Sequence, residues 1–231
     1  AATFGLAALL FLAPTPQSMA RSILGLTLAI VERNDVVLDL PRGMDVAERE
    51  GKILSGMPPG ASFLAVPVYL AFRPWLAHLP PERLLAWLHV LCTALLAIPA
   101  AAGTVYLAYR IAREWQASVR AAALTAGLLA FGTMHFGYAT GYYKKTLAAF
   151  CLLAAFRLLG RMQQRARPLV SAGFAGVLCG LAVGLDYPAA VIASCLGGYL
   201  LSRSPGWLGV AAFAAGTLLA VLPVLAYHRE A

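Results

Sequence analysis

From Ala121 to Leu159 the chain is apolar almost throughout, interrupted only near Lys144-Lys145. At about 1.5 Å per residue, one helix of that length would far overshoot the roughly 30 Å hydrocarbon core of a bilayer. The stretch must therefore fold back as a hairpin, and we expect the turn near Gly141–Lys145. The same argument splits 168–202 at Asp186-Tyr187-Pro188. Composition agrees: 61% of the residues are hydrophobic and 12% charged, against roughly 45–50% and 25% in soluble domains. We read an all-α, multi-pass transmembrane helix bundle of about seven spans. Residues 1–13 end the first span, and the others run 84–109, 121–140, 145–160, 168–185, 188–202 and 206–227.

Between the first span and the second lies one large loop, 17–83. Residues 17–33 are apolar on one face, as in a helix lying in the membrane interface. Val36-Val37-Leu38 reads as a short extended piece within a polar segment, 34–60. Pro58-Pro59-Gly60 is a firm turn. Residues 61–77, broken by Pro67 and Pro74, suit a second interfacial or re-entrant helix. Cys92, Cys151, Cys179 and Cys195 lie inside apolar stretches without metal-ligand or redox spacing, so they read as packing residues. The apolar start without a Met, and the close on Tyr227-His228-Arg229-Glu230-Ala231, suggest a piece of a longer protein.

Charge gives an orientation. The turns at 110–120, 157–167 and 203 hold eight arginines, Arg165 among them, against Glu114 alone. The opposite side, with the 17–83 loop, Lys144-Lys145, Asp186 and the carboxyl end, is close to balanced. The positive-inside rule then puts the arginine turns in the cytoplasm and the large loop outside. A net charge of +8 scattered over helix-end turns does not suggest a nucleic-acid partner.

This arrangement gathers the unusual polar groups at the outer boundary, where a reaction would act on a substrate with one end in lipid. Asp45, in the dense mixture of acids and bases Asp45–Lys52, could serve as a general base for an acceptor hydroxyl or amine. Asp39 and Asp35 are alternatives that spacing does not separate from it. Lys144-Lys145 could bind the phosphate of a lipid carrier or of anionic headgroups, or could simply snorkel. Asp186, between Leu185 and Tyr187, is an ionisable group near membrane depth, where such groups are costly and tend to be functional. Tyr69, Trp75, Trp87, Tyr138, Tyr142 and Tyr143 read as an interfacial aromatic belt. His135 reads as a packed helix residue. A transporter or lipid flippase, and a non-catalytic membrane scaffold, remain as alternatives to an enzyme.

The ordered set Asp45-Val46-Ala47, Gly51-Lys52, Ser55-Gly56-Met57-Pro58-Pro59-Gly60 and Leu64-Ala65-Val66-Pro67-Val68-Tyr69 resembles the first outer loop of bacterial C-type membrane glycosyltransferases. These are relatives of the protein O-mannosyltransferases and the lipid A aminoarabinose transferases. Phe131-Gly132-Thr133, Tyr138-Ala139-Thr140, Leu185-Asp186-Tyr187-Pro188 and Tyr227-His228 extend the resemblance over nearly the whole chain, as the amino-terminal part of such an enzyme. It implies an inverting transfer of sugar from a polyprenyl-phosphate carrier to a glycan, lipid or protein acceptor at the non-cytoplasmic face of the bacterial inner membrane. By the same resemblance Asp45 matches the loop aspartate expected as base, and Asp186 the later acidic position. Lys52, Lys144 and Lys145 become candidate phosphate contacts. Some relatives use a divalent metal with loop carboxylates, although no residue pattern here demands one. The chain departs from the family in three places. Thr15-Pro16-Gln17 lacks the usual acid, Gly56-Met57 replaces an Asp-Lys pair, and Lys145 replaces a histidine.

Overall fold

The structure, a computed structural model, describes residues 1–39, 45–162, 167–203 and 206–230. Arg165 and residues 40–44 of the expected polar segment lie outside them. The chain is mostly helical. Helices α1 (Ala2–Leu10) and α2 (Ser18–Leu28) come first, α2 continuing into a π-helical turn, Ala29–Arg33. A hairpin of β1 (Val46–Arg49) and β2 (Lys52–Ser55) follows, then α3 (Gly60–Leu76). The rest is α4 (Pro81–Cys92), a π-helical turn Thr93–Ala97, α5 (Ile98–Glu114), α6 (Val119–Phe131), α7 (His135–Ala139), α8 (Lys144–Gly160), α9 (Pro168–Leu185), α10 (Ala189–Ser202) and α11 (Gly206–Glu230).

Three helical runs among the described residues are long and apolar enough to cross a membrane: Pro81–Glu114, Pro168–Leu185 and Gly206–Glu230. They mark an integral membrane protein. They are three, where the sequence led us to expect about seven spans. Helices α6 and α10 are apolar but shorter, with 13 and 14 residues. At about 1.5 Å per residue each covers only ~20 Å. The cause is visible after α6. Gly132 caps the helix on the Leu128 carbonyl, Thr133 Oγ1 donates to the Leu129 carbonyl, and the His135 N–H donates to Thr133 Oγ1. With the freed backbone groups satisfied locally, the chain leaves the helix well before Gly141, where we had expected the turn. The break at Asp186-Tyr187-Pro188 falls as expected, between α9 and α10.

Two further expectations are corrected. The fold is not purely helical: Val46–Arg49 and Lys52–Ser55 pair antiparallel, Arg49 opposite Lys52. Glu50 and Gly51 both have positive φ, 52° and 77°, the backbone of a two-residue hairpin turn whose twist matches its strands. The expected extended piece joins this hairpin, with the Leu38 N–H donating to the Ile53 carbonyl at 2.7 Å. Second, α3 runs through both Pro67 and Pro74. Helix α2 is packed against α3 along one face. Ser22, Ile23, Leu24, Leu26 and Thr27 are fully buried. Ser62 Oγ donates to the Ile23 carbonyl at 2.8 Å, and Thr27 Oγ1 to the Ser62 carbonyl at 3.1 Å, tying α2 to α3.

The core centres on α9, which packs against α8 on one side and α11 on the other. The α9–α11 contact is close because small residues face it. A Cβ on Gly176 or Gly180 would collide with the Phe213 or Thr217 carbonyl of α11, and one on Gly216 with the Gly173 carbonyl of α9. Thr217 Oγ1 bridges the seam, donating to the Gly176 carbonyl at 3.2 Å and the Phe213 carbonyl at 2.9 Å. Apolar burial drives little association within lipid, so close backbone packing of this kind carries more of it. Cys92, Cys151 and Cys179 are buried in the core as free thiols, and Cys195 is exposed.

Candidate functional site

Three groups of polar side chains meet at the end of the bundle where α3, α8 and α10 begin and α9 ends. The first surrounds Asp45, which has φ 53°. Ser18 Oγ, at the start of α2, donates to Asp45 Oδ2 at 2.5 Å. The Asp45 carbonyl accepts from Ser22 Oγ and from the Gly56 N–H, both at 3.0 Å. Ser22 and Ser55 hydroxyls lie 3.0 Å apart. A Cβ on Gly56 would collide with the Asp45 carbonyl. No side chain fits there unless the backbone shifts. Met57 packs against the core.

The second group is an ion pair. Lys144 Nζ lies 3.0 Å from Asp186 Oδ1, with side chains only 10% and 19% exposed. Lys144 opens α8, while Asp186 caps α9 and gives its carbonyl to the Ala189 N–H at the start of α10. Two neighbours fix the pair. A Cβ on Gly60 would collide with the Gly184 carbonyl, so the Pro58-Pro59-Gly60 turn sits directly against the end of α9. Tyr142, two residues before Lys144, is fully buried and donates its hydroxyl to the Ala61 carbonyl at 2.7 Å. We had read Tyr142 and Tyr69 as belt aromatics. Both are buried instead; the Tyr142 hydroxyl is satisfied inside, while the Tyr69 hydroxyl reaches out to the exposed Glu32 carboxylate at 2.8 Å. Burial and that carboxylate push the Tyr69 phenol up to about 12.

The third group is Lys145, exposed, with Nζ 5.8 Å from the centre of the Tyr138 ring. It borders a largely apolar cleft of about 410 Å³ between α6, α7 and α8, lined also by Leu129, Met134, His135, Thr146 and Ala149. His135 is packed as expected, Nε2 3.1 Å from the Ala101 carbonyl and its ring stacked on Phe4.

The groups are joined. Gln17, next to Ser18, hydrogen-bonds the Tyr143 hydroxyl, and Tyr143 adjoins Lys144. Burial raises the Tyr143 phenol. The chain neighbours Gln17–Ser18 and Tyr143–Lys144 place the serines around Asp45 and the ion pair at the same end of the bundle. Beside the pair, Tyr187 Oη and His228 Nε2 are 2.6 Å apart. Lys52 stands apart. It is exposed on β2, and its charge is felt by Asp35. The Val37 and Val36 N–H groups hold the Asp35 carboxyl below the ordinary range, helped by Arg33 and Lys52. Asp39 is exposed. Among the described residues no group of three or more His, Cys, Asp or Glu could hold a metal ion.

Sequence reasoning missed the serines, Gln17 and the buried role of Tyr142. The available signal was weak: Gln17, Ser18 and Ser22 open a helix, and Ser55 lies more than thirty residues further on. Comparison with known proteins gives no match: no family model, no curated protein and no solved structure is similar to this chain.

Proposed function

We propose that this chain is part of a membrane glycosyltransferase that takes a sugar from a polyprenyl-phosphate carrier at the non-cytoplasmic face of a bacterial inner membrane. The observation that carries it is the gathering of Asp45, the Lys144–Asp186 pair and Lys145 at one end of the bundle, beside an apolar cleft.

The chemistry follows from those groups. An acceptor hydroxyl or amine attacks the sugar's anomeric carbon from the face opposite the phosphate. The new bond to carbon forms as the carbon–oxygen bond to phosphate breaks, with inversion, and polyprenyl phosphate leaves with the bonding pair. The acceptor's proton passes to the Asp45 carboxylate. Ser18 occupies Oδ2, leaving Oδ1 to take the proton. A cation beside the departing phosphate stabilises the charge that develops there. Lys145, exposed at the rim of an apolar cleft, fits a carrier with a charged head and a greasy chain. Lys144 is already neutralised by Asp186 and holds the end of α8 in position. Lys52 is the outlying phosphate contact.

The test is transfer of labelled sugar from a mixed polyprenyl-phosphate donor pool, in membranes holding the protein or its Asp45→Asn variant at matched expression. Loss of transfer in the variant supports the reading. Equal transfer by both removes Asp45 from the mechanism, and no transfer by either, over a broad pool, removes the enzyme.

A further inference from the structure

The opposite end of the bundle carries a cavity that the transfer reaction does not use. Helix α8 separates the two: from Lys144 to Gly160 it spans about 24 Å at ~1.5 Å rise per residue. Here the ends of α5, α8 and α10 enclose about 230 Å³, with Arg157, Arg161, Arg203 and Glu114 in its lining. Three guanidinium groups therefore share the cavity with one carboxylate. Arg157 donates through Nε and Nη2 to Glu114 Oε1, at 3.0 and 2.7 Å, and Arg161 Nη1 reaches the same oxygen at 3.5 Å. Arg203 lies over the Tyr199 ring, 4.9 Å from its centre.

These arginines are not simply reaching into water. The Arg157 side chain is only 18% exposed, although the local charge stays positive. A guanidinium held against protein, with N–H groups beyond those spent on Glu114, suits a tetrahedral oxyanion. The walls add an apolar component. Trp115 meets Phe156 edge-on at 6.2 Å, Phe156 meets Tyr199 at 5.6 Å, and Trp115 is largely exposed. Aromatic rings beside arginines at a helix end match the headgroup layer, where both residue types anchor.

We infer that this cavity binds the phosphodiester headgroup of an anionic membrane lipid, with Arg157, Arg161 and Arg203 on the phosphate and Trp115, Phe156 and Tyr199 against the glycerol. The inference stands whether or not the far end transfers sugar.

Gly160 offers a clean way to close the cavity. A Cβ there meets only Tyr199 Oη, at an ordinary 3.7 Å, the hydroxyl that accepts from Arg203 Nη2, so Gly160→Leu narrows the cavity without replacing any arginine. The full chain in maltoside micelles is mixed with dioleoylphosphatidylglycerol or dioleoylphosphatidylcholine, and bound lipid is counted by native mass spectrometry. We expect one phosphatidylglycerol retained in preference to phosphatidylcholine. Retention should fall at least tenfold in R157Q/R161Q and in G160L, and less than twofold in Arg120→Gln, an exposed arginine at the same end. Circular dichroism checks that the variants stay folded. Equal losses in R120Q and R157Q/R161Q would overturn the inference, since charge alone would then suffice, as would full retention in G160L. Free sn-glycerol 3-phosphate binding as tightly as the lipid would overturn the lipid source and leave a soluble phosphate ester.

Discussion

Removing one partner of the Lys144–Asp186 pair should cost far more than removing both. At 3.0 Å and an effective dielectric of about 20, the mutual attraction is roughly 5–6 kcal/mol. Desolvating two ions offsets it by several kcal/mol, so the pair is worth little relative to an apolar one. Lys144→Met, however, leaves a carboxylate only 19% exposed without its counter-ion. Asp186→Leu strands an ammonium that is more buried still. Each should destabilise by about 3 kcal/mol, the low end for a broken buried pair because Asp186 keeps some water. The double variant K144M/D186L should cost no more than one of the singles, giving a coupling of about 3 kcal/mol. The assay is reversible unfolding of the full chain in mixed micelles against SDS mole fraction, read by far-ultraviolet circular dichroism. Single costs below about 0.5 kcal/mol that simply add would refute this: the two charges would then be solvated and independent. The swapped variant K144D/D186K separates stability from function. Restored stability without restored sugar transfer would assign the lysine's position, not only its charge, to the site.

Two further outcomes follow from the packing and the loop. Gly180→Ala drives a methyl group into the Thr217 carbonyl and the Ala220 side chain and should cost about 1–3 kcal/mol. Gly198→Ala in α10, with open space around it, should instead be neutral or stabilise by up to about 1 kcal/mol; the same unfolding assay reads both. The Arg73 guanidinium, then the Tyr69 hydroxyl, hold the Glu32 carboxyl below its ordinary value. A depressed carboxyl contributes stability that is complete above its unfolded value, about 4.3, and is lost as pH falls through the folded one. Glu32→Gln should flatten that acid limb of the stability profile, and an unchanged limb would assign it to other carboxyls.

Hydropathy and helix length are local, nearly additive properties, and they fixed much at the sequence level. The apolar runs, the break at Asp186-Tyr187-Pro188 and the concentration of arginines at one set of turns were all legible. The glycines Gly176 and Gly180, by contrast, were not read as a helix seam, because their partner face on α11 shows only in the fold. Where a local hydrogen bond competes with hydropathy, sequence reading went astray. Gly132 and Thr133 end α6 early, and Glu50-Gly51 turns a charged stretch into a hairpin.

What only the tertiary structure decided is which distant side chains meet. Asp186 lies 42 residues from Lys144 and Tyr142 lies 81 from Ala61, so no spacing rule pairs them. They meet because small residues let α9 approach the start of α3, and because burying a hydroxyl or a charge demands a partner wherever the fold can supply one. The sequence alone determined that this chain belongs in a membrane and where its polar groups lie along it. The fold determined which of those groups stand together, since that depends on how helices return past one another rather than on any run of neighbouring residues.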